Sequence, residues 1–80
     1  MIITAIHKIS DPAKFWTAAQ LPPGVALRSA LPNGDGSRGV CLWEAESVET
    51  VQQLVDGAFS DVSENEYFEV NVQNAVGLPG

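Results

Sequence analysis

The chain predicts an α+β fold, a β-α-β-β-α-β sandwich in which a four-stranded antiparallel sheet carries two helices on one face. Strand-like and helix-like segments alternate along the sequence in that order. Eighty residues have room for one hydrophobic core, so residues 1–80 are expected to form a single domain. Right-handed crossovers between the strands then place both helices on the same side of the sheet.

The first strand and the first helix are predicted from composition and capping. Residues 1–9 are rich in Ile and Thr without helical spacing, which is typical of a strand covered on both faces. Asp11 before Pro12 is a capping side chain followed by proline, so a helix is expected over residues 12–20. One face of the strand would carry Ile3, Ala5, His7 and Ile9.

The next two strands are predicted on either side of a turn-rich loop. The Pro-Pro-Gly run at 22–24 ends the first helix, and residues 25–31 alternate as a strand. The loop at 32–37 is dense in Asn, Asp and Gly and indicates a hairpin. Residues 38–46 then form the third strand. In the second strand, strict alternation would place Val25, Leu27, Ser29 and Leu31 on one face.

The second helix and the fourth strand complete the pattern. Ser47 is a good N-cap, and the apolar residues that come after it share one helical face. Residues 61–66 are predicted to be a polar connection, and residues 67–73 a strand with clean alternation. Its apolar face, with Phe68, would pack under the helices, and its polar face would look away from them. That polar face consists of Tyr67, Glu69, Asn71 and Gln73.

Assembly is predicted from the sheet face that the helices leave uncovered. This face still carries apolar side chains, and only 18 % of the residues are charged. A second copy of the same sheet is the economical cover for it, so the sequence predicts a homodimer.

Charge and cysteine content exclude several classes of partner. Ten acidic and four scattered basic residues give a net charge of −6, so no basic stripe is available for nucleic acid or for an anionic membrane surface. No segment approaches the ~20 apolar residues of a membrane span. The single cysteine, Cys41, has no internal disulfide partner, which predicts a cytoplasmic location.

A family resemblance rests on the third strand and on the helix and strand that come after it. The third strand reads Cys-Leu-Trp-Glu-Ala at 41–45, a helix starts at Ser47, and residues 68–70 read Phe-Glu-Val. This pattern resembles the dimeric α+β barrel superfamily of ferredoxin-like proteins. It is nearest to small uncharacterised bacterial members with a Cys-Leu-x-Glu-Ala third strand. The resemblance covers residues 38–72 well and residues 1–31 by element order.

The resemblance implies a homodimeric barrel with a cavity between its two sheets. Some relatives of that group are described as nickel-binding. Other members of the superfamily are cofactor-free monooxygenases or isomerases, muconolactone isomerase among them. The resemblance therefore implies no required cofactor, and it makes a divalent transition metal such as nickel one candidate.

His7 is the candidate catalytic residue and the first candidate metal ligand. It is the only imidazole of the chain, and histidine is the side chain whose ordinary pKa lies near neutrality. It could serve as a general base. A metal site needs three or more ligands, so Glu44 and Glu69 are the further metal candidates, with Cys41 as another donor. The structural alternative is a partly buried histidine that is hydrogen-bonded to a neighbour.

Five residues are predicted to contact a ligand in the cavity between the sheets. Tyr67, Glu69 and Asn71 form a polar stripe that could orient a small molecule. Trp43 could form a cavity wall. Arg28 could bind an anionic ligand or be the counter-charge of a carboxylate in the stripe. The structural alternatives are core or interface packing for Trp43, a solvated or inter-subunit hydrogen-bonding edge for the polar stripe, and a surface salt bridge for Arg28.

Three functions stay open at this point. The first is a homodimeric protein that binds a small molecule or a metal ion without turning it over. The second is a cofactor-free monooxygenase or isomerase that acts on a small organic substrate with His7 as base. The third is an amino-acid-binding regulatory module of the ACT type, which shares the element order.

Overall fold

The computed structural model describes residues 1–16 and 21–78 and confirms the predicted α+β architecture. Its sheet has the order β2-β3-β1-β4, every neighbouring pair is antiparallel, and the sheet is not closed into a barrel. This arrangement is consistent with the ferredoxin-like fold. The elements are β1 (Ile2–Ile9), α1 (Pro12–Phe15), β2 (Ala26–Pro32), β3 (Arg38–Glu44), α2 (Val48–Phe59) and β4 (Ser63–Glu69).

β1 is the central strand and separates the two faces of the sheet. It pairs with β3 on one side and with β4 on the other over almost its whole length. The face that was predicted from alternation is the buried one, because the helices cover it. Its residues are Ile3, Ala5, His7 and Ile9.

The helices are capped as predicted. The Ser47 hydroxyl accepts a hydrogen bond from the Thr50 amide at 3.2 Å and begins α2. The Asp11 carboxylate accepts from the Lys14 amide at 3.2 Å and begins α1. α1 is described as far as Phe15, and the predicted continuation over residues 17–20 lies outside the described residues.

The core lies between the sheet and the helices. α2 buries Val51 and Val55 against it, and α1 adds the ring of Phe15. Phe15 contacts the rings of His7 and Phe59, with centroid distances of 4.7 and 5.0 Å. The buried apolar residues are Ile3, Ala5, Ile9, Phe15, Cys41, Trp43, Ala45, Val51, Val55 and Val62.

β2 contains an extra residue that interrupts its alternation. Leu27 pairs with Trp43 and Ser29 pairs with Leu42, so Arg28 is inserted opposite a single step of β3. The predicted strict alternation of this strand is therefore wrong. Leu27 lies on the helix-covered face. Ser29 and Leu31 lie on the opposite face, where they are next to Leu42 and Val40 of β3.

The fourth strand was predicted in the wrong place and with its faces reversed. β4 begins at Ser63, inside the predicted connection, and ends at Glu69. Its register places Asn65 opposite His7 and Tyr67 opposite Ala5, so both lie on the helix-covered face. Phe68 is on the other face and is 47 % exposed. The physical reason is that Asp56 on α2 offers a hydrogen-bond acceptor to both polar residues.

The uncovered face of the sheet is apolar. Leu31, Val40 and Ile6 lie side by side across β2, β3 and β1. Leu31 is 61 % exposed and Ile6 is 40 % exposed, and Phe68 adds a further exposed ring on β4. We call these four residues the open-face patch.

None of the helices in the described part of the chain is long and apolar enough to cross a membrane.

Candidate functional site

A cavity of about 350 Å³ lies between the helix-covered face of the sheet and α2. Its walls are mainly apolar, and the lining residues that the structure describes carry no charge at neutral pH. Three of the lining residues, Leu27, Ala30 and Ala58, are at least partly exposed, so the cavity reaches the surface between β2 and α2. Aromatic rings supply much of the wall, namely those of Phe15, Trp16, Trp43 and Phe59.

His7 is held at the inner wall by a hydrogen-bonded chain of side chains. It is 2 % exposed, and its Nδ1 lies 2.6 Å from Oδ1 of Asn65. The Asn65 amide nitrogen donates to Oδ1 of Asp56 and to the Ser63 hydroxyl, both at 3.0 Å. Because the Asn65 nitrogen is used as a donor, its oxygen must accept from His7. The proton of the imidazole is therefore on Nδ1, and Nε2 carries a lone pair.

This environment keeps His7 neutral. Burial lowers the pKa of His7, because the charged imidazolium loses its hydration. The hydrogen bond to Asn65 and the charge of Asp56 act in the opposite direction on this pKa and are weaker. Nε2 is buried and has no hydrogen-bond partner among residues 1–16 and 21–78. His7 thus contributes one acceptor atom, with a fixed tautomer, to an apolar cavity.

Trp43 has an unpaired hydrogen-bond donor, in contrast to the unpaired acceptor of His7. It is 7 % exposed, and its ring lines the same cavity. Its Nε1–H is buried and, within the described ranges, has no acceptor. Trp43 lies four residues along β3 from Gly39, the partner of His7, so about 13 Å of strand separates the two backbone positions.

Trp16 forms a fixed wall by contrast. Its Nε1–H donates to the Gly36 carbonyl at 2.8 Å. Its ring meets that of Phe15 edge to face, with a centroid distance of 4.9 Å. The two tryptophans therefore differ in one respect that matters for binding, because the indole N–H of Trp16 is satisfied and that of Trp43 is not.

Cys41 lines the cavity but is not an activated nucleophile. Burial raises the pKa of its thiol to about 11, so the thiol stays protonated at neutral pH. It lies on β3 opposite Ala5 and Ala30 and acts there as a small apolar side chain.

Of the predicted ligand-binding residues, the structure places Trp43 in the cavity wall and Tyr67 next to the residues that hold His7. The Tyr67 hydroxyl donates to Oδ1 of Asp56 at 2.8 Å, and burial raises the pKa of Tyr67. Tyr67 therefore helps to fix the position of the Asp56 carboxylate, which in turn accepts from Asn65. Glu69 is exposed at the end of β4, and Asn71 lies beyond the strand, where its side chain accepts from the Gln73 amide.

Arg28 lies outside the cavity and pairs with a residue of β3. Its guanidinium binds the Glu44 carboxylate, with Nε 2.9 Å from Oε1, and both side chains are about half exposed. The pairing lowers the pKa of Glu44. The counter-charge of Arg28 is thus Glu44 and not a carboxylate of β4.

The candidate metal ligands do not come together. Glu44 pairs with Ile2 and Glu69 with Ile3, which lie five and four residues from His7 along β1. These offsets correspond to about 17 and 13 Å. The described residues contain no group of three or more His, Cys, Asp or Glu side chains that could hold an ion.

Asn65 and Asp56 are the site residues that sequence reasoning missed. Asn65 lies in the segment that was predicted to be a connection, and Asp56 follows the buried Val55 at the edge of the apolar helix face. A signal was present, because residues 63, 65 and 67 alternate as Ser, Asn and Tyr with the period of a strand. The polarity of these residues favoured solvent over the helix-covered face.

Comparisons with known proteins add no identity. No protein-family model matches the chain, and comparisons with curated proteins and with solved structures found no match either. The geometry of the cavity is therefore the basis for assigning a function.

Proposed function

We propose that this protein binds a small, uncharged and largely apolar molecule in the cavity between its sheet and α2. The observation that carries the proposal is the unpartnered Nε2 of His7, a residue that lines a mainly apolar cavity. Pockets of about 300–1,000 Å³ with a few polar groups are typical of ligand sites, and the 350 Å³ found here falls in that range. A charged ligand would lose its hydration without gaining a counter-charge from the described walls.

The same geometry favours an organic ligand over a metal ion. His7 has a single nitrogen free to bind a metal ion, Nε2, whereas metal sites in proteins use three or more ligands. Glu44 and Glu69, the other candidate ligands, lie several strand residues away from His7. Binding of nickel or another divalent transition metal is therefore the alternative that the experiment below must distinguish from binding of an organic molecule.

The test is a titration with tetralin, an uncharged bicyclic hydrocarbon, followed by thermal unfolding. A ligand of the native state raises Tm with its concentration, so we expect a saturable rise. Ala58→Trp fills the mouth of the cavity and should weaken tetralin binding at least about tenfold. Gln53→Trp adds the same ring to an exposed position of α2 outside the cavity lining and should leave binding unchanged.

Two results would count against the small-molecule proposal. The first is the absence of any rise in Tm with tetralin. The second is an equal effect of tetralin on all three proteins, because binding would then lie elsewhere. A rise in Tm with Ni²⁺ that disappears in His7→Ala would instead favour the metal function.

A second candidate function is catalysis of proton abstraction with His7 as general base, as in a cofactor-free monooxygenase or isomerase. The observation that favours it is the fixed tautomer, because the hydrogen-bonded chain through Asn65 to Asp56 leaves the lone pair on Nε2 of His7, which is a lining residue of the cavity. A positioned base contributes about 10²–10⁴-fold to rate. The test is deuterium exchange at the carbon next to the ketone of bound tetralone, which His7→Asn should abolish. Exchange at the same rate in both proteins would exclude this role.

We also propose that a second copy of the chain covers the open-face patch. Leu31, Ile6 and Phe68 are large apolar side chains exposed on the same face of the sheet, and such patches are typical of interfaces. Analytical ultracentrifugation should find a dimer at micromolar concentration, and Leu31→Glu should give a monomer. Val76→Glu, at a 97 % exposed position beyond the sheet, is the matched control and should remain dimeric. A monomeric wild-type protein would contradict the proposal.

Composition supports two further parts of the proposal. The net charge of −6 disfavours nucleic acid as a partner. Cys41 is buried and is the only cysteine of the sequence, which fits a reducing compartment such as the cytoplasm.

A further inference from the structure

On the premise of the proposed function, we infer that the ligand is an uncharged ring compound with a hydrogen-bond donor at one end and an acceptor at the other. The donor binds Nε2 of His7, and the acceptor binds Nε1–H of Trp43. The inference names the chemical class of the ligand that the cavity takes.

The starting observation is that both atoms are buried without a partner in the described part of the chain. Native proteins pair the great majority of their buried polar side-chain atoms. Here His7 Nε2 and Trp43 Nε1 are exceptions, and both residues line one cavity. Two unpaired atoms on residues that line the same cavity point to a common partner for both.

An ordered water is a poor partner for either atom. A buried water makes about three hydrogen bonds, so it needs a cluster of polar groups around it. The described ring neighbours of His7 offer no such cluster. Next to His7, for example, lies the ring of Phe15, and the N–H of Trp16 is committed to Gly36. A larger molecule that carries its own polar atoms is the better partner.

The two atoms require opposite groups on the ligand. Because the His7 proton is on Nδ1, Nε2 can only accept, so the ligand must bring a donor such as a hydroxyl. The indole N–H of Trp43 can only donate, so the ligand must bring an acceptor such as a carbonyl. Trp43 lies four positions along β3 from Gly39, the partner of His7, which places the two groups at opposite ends of the ligand.

The experiment uses four probes with one bicyclic frame. Hydroxytetralone, with its hydroxyl on the benzene ring away from the ketone, carries both groups. Tetrahydronaphthol has the hydroxyl without the ketone, tetralone has the ketone without the hydroxyl, and tetralin has neither. Each hydrogen bond should tighten Kd several-fold, up to about tenfold, so hydroxytetralone should bind best and tetralin worst.

Two variants assign the gains to the two residues. Trp43→Phe keeps an aromatic side chain but has no N–H. In this variant the ketone should no longer tighten Kd, whereas the hydroxyl should still do so. His7→Asn keeps a nitrogen that can donate to Asn65 but has no atom in place of Nε2. It should lose the gain from the hydroxyl and keep the gain from the ketone.

The indole signals of the wild-type protein give a second readout that needs no variant. The chain has two tryptophans, so the nitrogen–proton spectrum contains two indole N–H signals. Tetralone should move the Trp43 signal downfield relative to tetralin and leave the Trp16 signal in place, because Trp16 already donates to Gly36.

The outcomes separate this inference from the proposed function. Equal Kd values for all four probes, or a ketone-dependent shift at Trp16 alone, would overturn the inference and leave cavity binding intact. Failure of every probe to bind would overturn both.

Discussion

The ring of Trp16 lies directly on the backbone of Gly39. A β-carbon built on Gly39 would be 2.5 Å from Cη2 and 2.6 Å from Cζ2 of Trp16, closer than atoms approach without displacement. Glycine at this position of β3 therefore lets the ring of Trp16 cover the strand. Since Trp16 is a wall of the cavity, the absence of a side chain at residue 39 also shapes the site.

Gly39→Ala should lower the free energy of unfolding by about 1–3 kcal/mol, the usual cost of forcing extra atoms into a packed region. The added methyl group must displace the ring of Trp16 and strain its hydrogen bond to Gly36. Urea unfolding measures the stability, and the indole N–H signal of Trp16 should shift. Unchanged stability and an unmoved signal would show that the contact is looser than described.

Gly57→Ala should have the opposite effect. Gly57 is an exposed residue inside α2, and a β-carbon there would meet nothing within 4 Å. Alanine in a helix interior is favoured over glycine by about 1 kcal/mol, so this variant should unfold at higher urea concentration. A loss of stability in Gly57→Ala would contradict the expectation that helix propensity governs this exposed position.

Tyr67→Phe should lower the free energy of unfolding by about 1 kcal/mol through loss of the hydrogen bond to Asp56. The contribution can be isolated with Asp56→Ala in a double-mutant cycle measured by urea unfolding. The coupling energy should be about 1 kcal/mol, because once one substitution has removed the hydrogen bond, the other cannot remove it again. Additive effects of the two substitutions would contradict the contact.

Acid should destabilise the protein in the range where histidine titrates. The folded state lowers the pKa of His7, so below about pH 6.5 the unfolded chain binds more protons than the folded one. The free energy of unfolding should therefore fall as the pH falls from 7 to 5, by at most about 1.4 kcal/mol per pH unit. His7→Asn should remove this slope. A wild-type stability that rises on acidification over this range would contradict the direction.

Asn65→Asp should raise the pKa of His7. A carboxylate in place of the amide would hold a negative charge at Nδ1 and favour the imidazolium by about one pH unit or more. The chain has one histidine, so its Cε1 proton signal can be followed directly in a pH titration. An unchanged pKa in Asn65→Asp would mean that residue 65 does not contact the ring. The same variant should bind the hydroxyl-bearing probes less well at pH values where His7 is protonated.

The elements that could be predicted from sequence are those governed by neighbouring residues. The cap at Ser47 and the alternation of β1 depend on local chemistry and period, and both are confirmed. β4 depends on residues that are distant along the chain. Its polar Asn65 faces the helices because Asp56 on α2 and His7 on β1 satisfy its hydrogen bonds, and the second partner is 58 residues away. Alternation alone cannot distinguish a satisfied buried polar side chain from a solvated one.

The cavity under α2 could not be located from the sequence, although two of its lining residues were singled out. His7 and Trp43 were both singled out, yet they were assigned to a cavity between two sheets, whereas the cavity lies under α2 of one chain. Arg28 and Glu44 were singled out for ligands and bind each other instead, across β2 and β3. The extra residue in β2 changes which side chains meet there, and no periodic pattern reveals it.

The inserted residue at position 28 links two surfaces that would otherwise be independent. Beyond it, Ala30 faces the cavity and Leu31 faces outward; with one residue fewer, the distal half of β2 would turn over. The larger leucine would then occupy part of the cavity, and the open-face patch would lose its most exposed side chain. The volume of the cavity and the apolar character of the open-face patch therefore both depend on the one extra residue in β2, so a change in the length of this strand would alter both surfaces together.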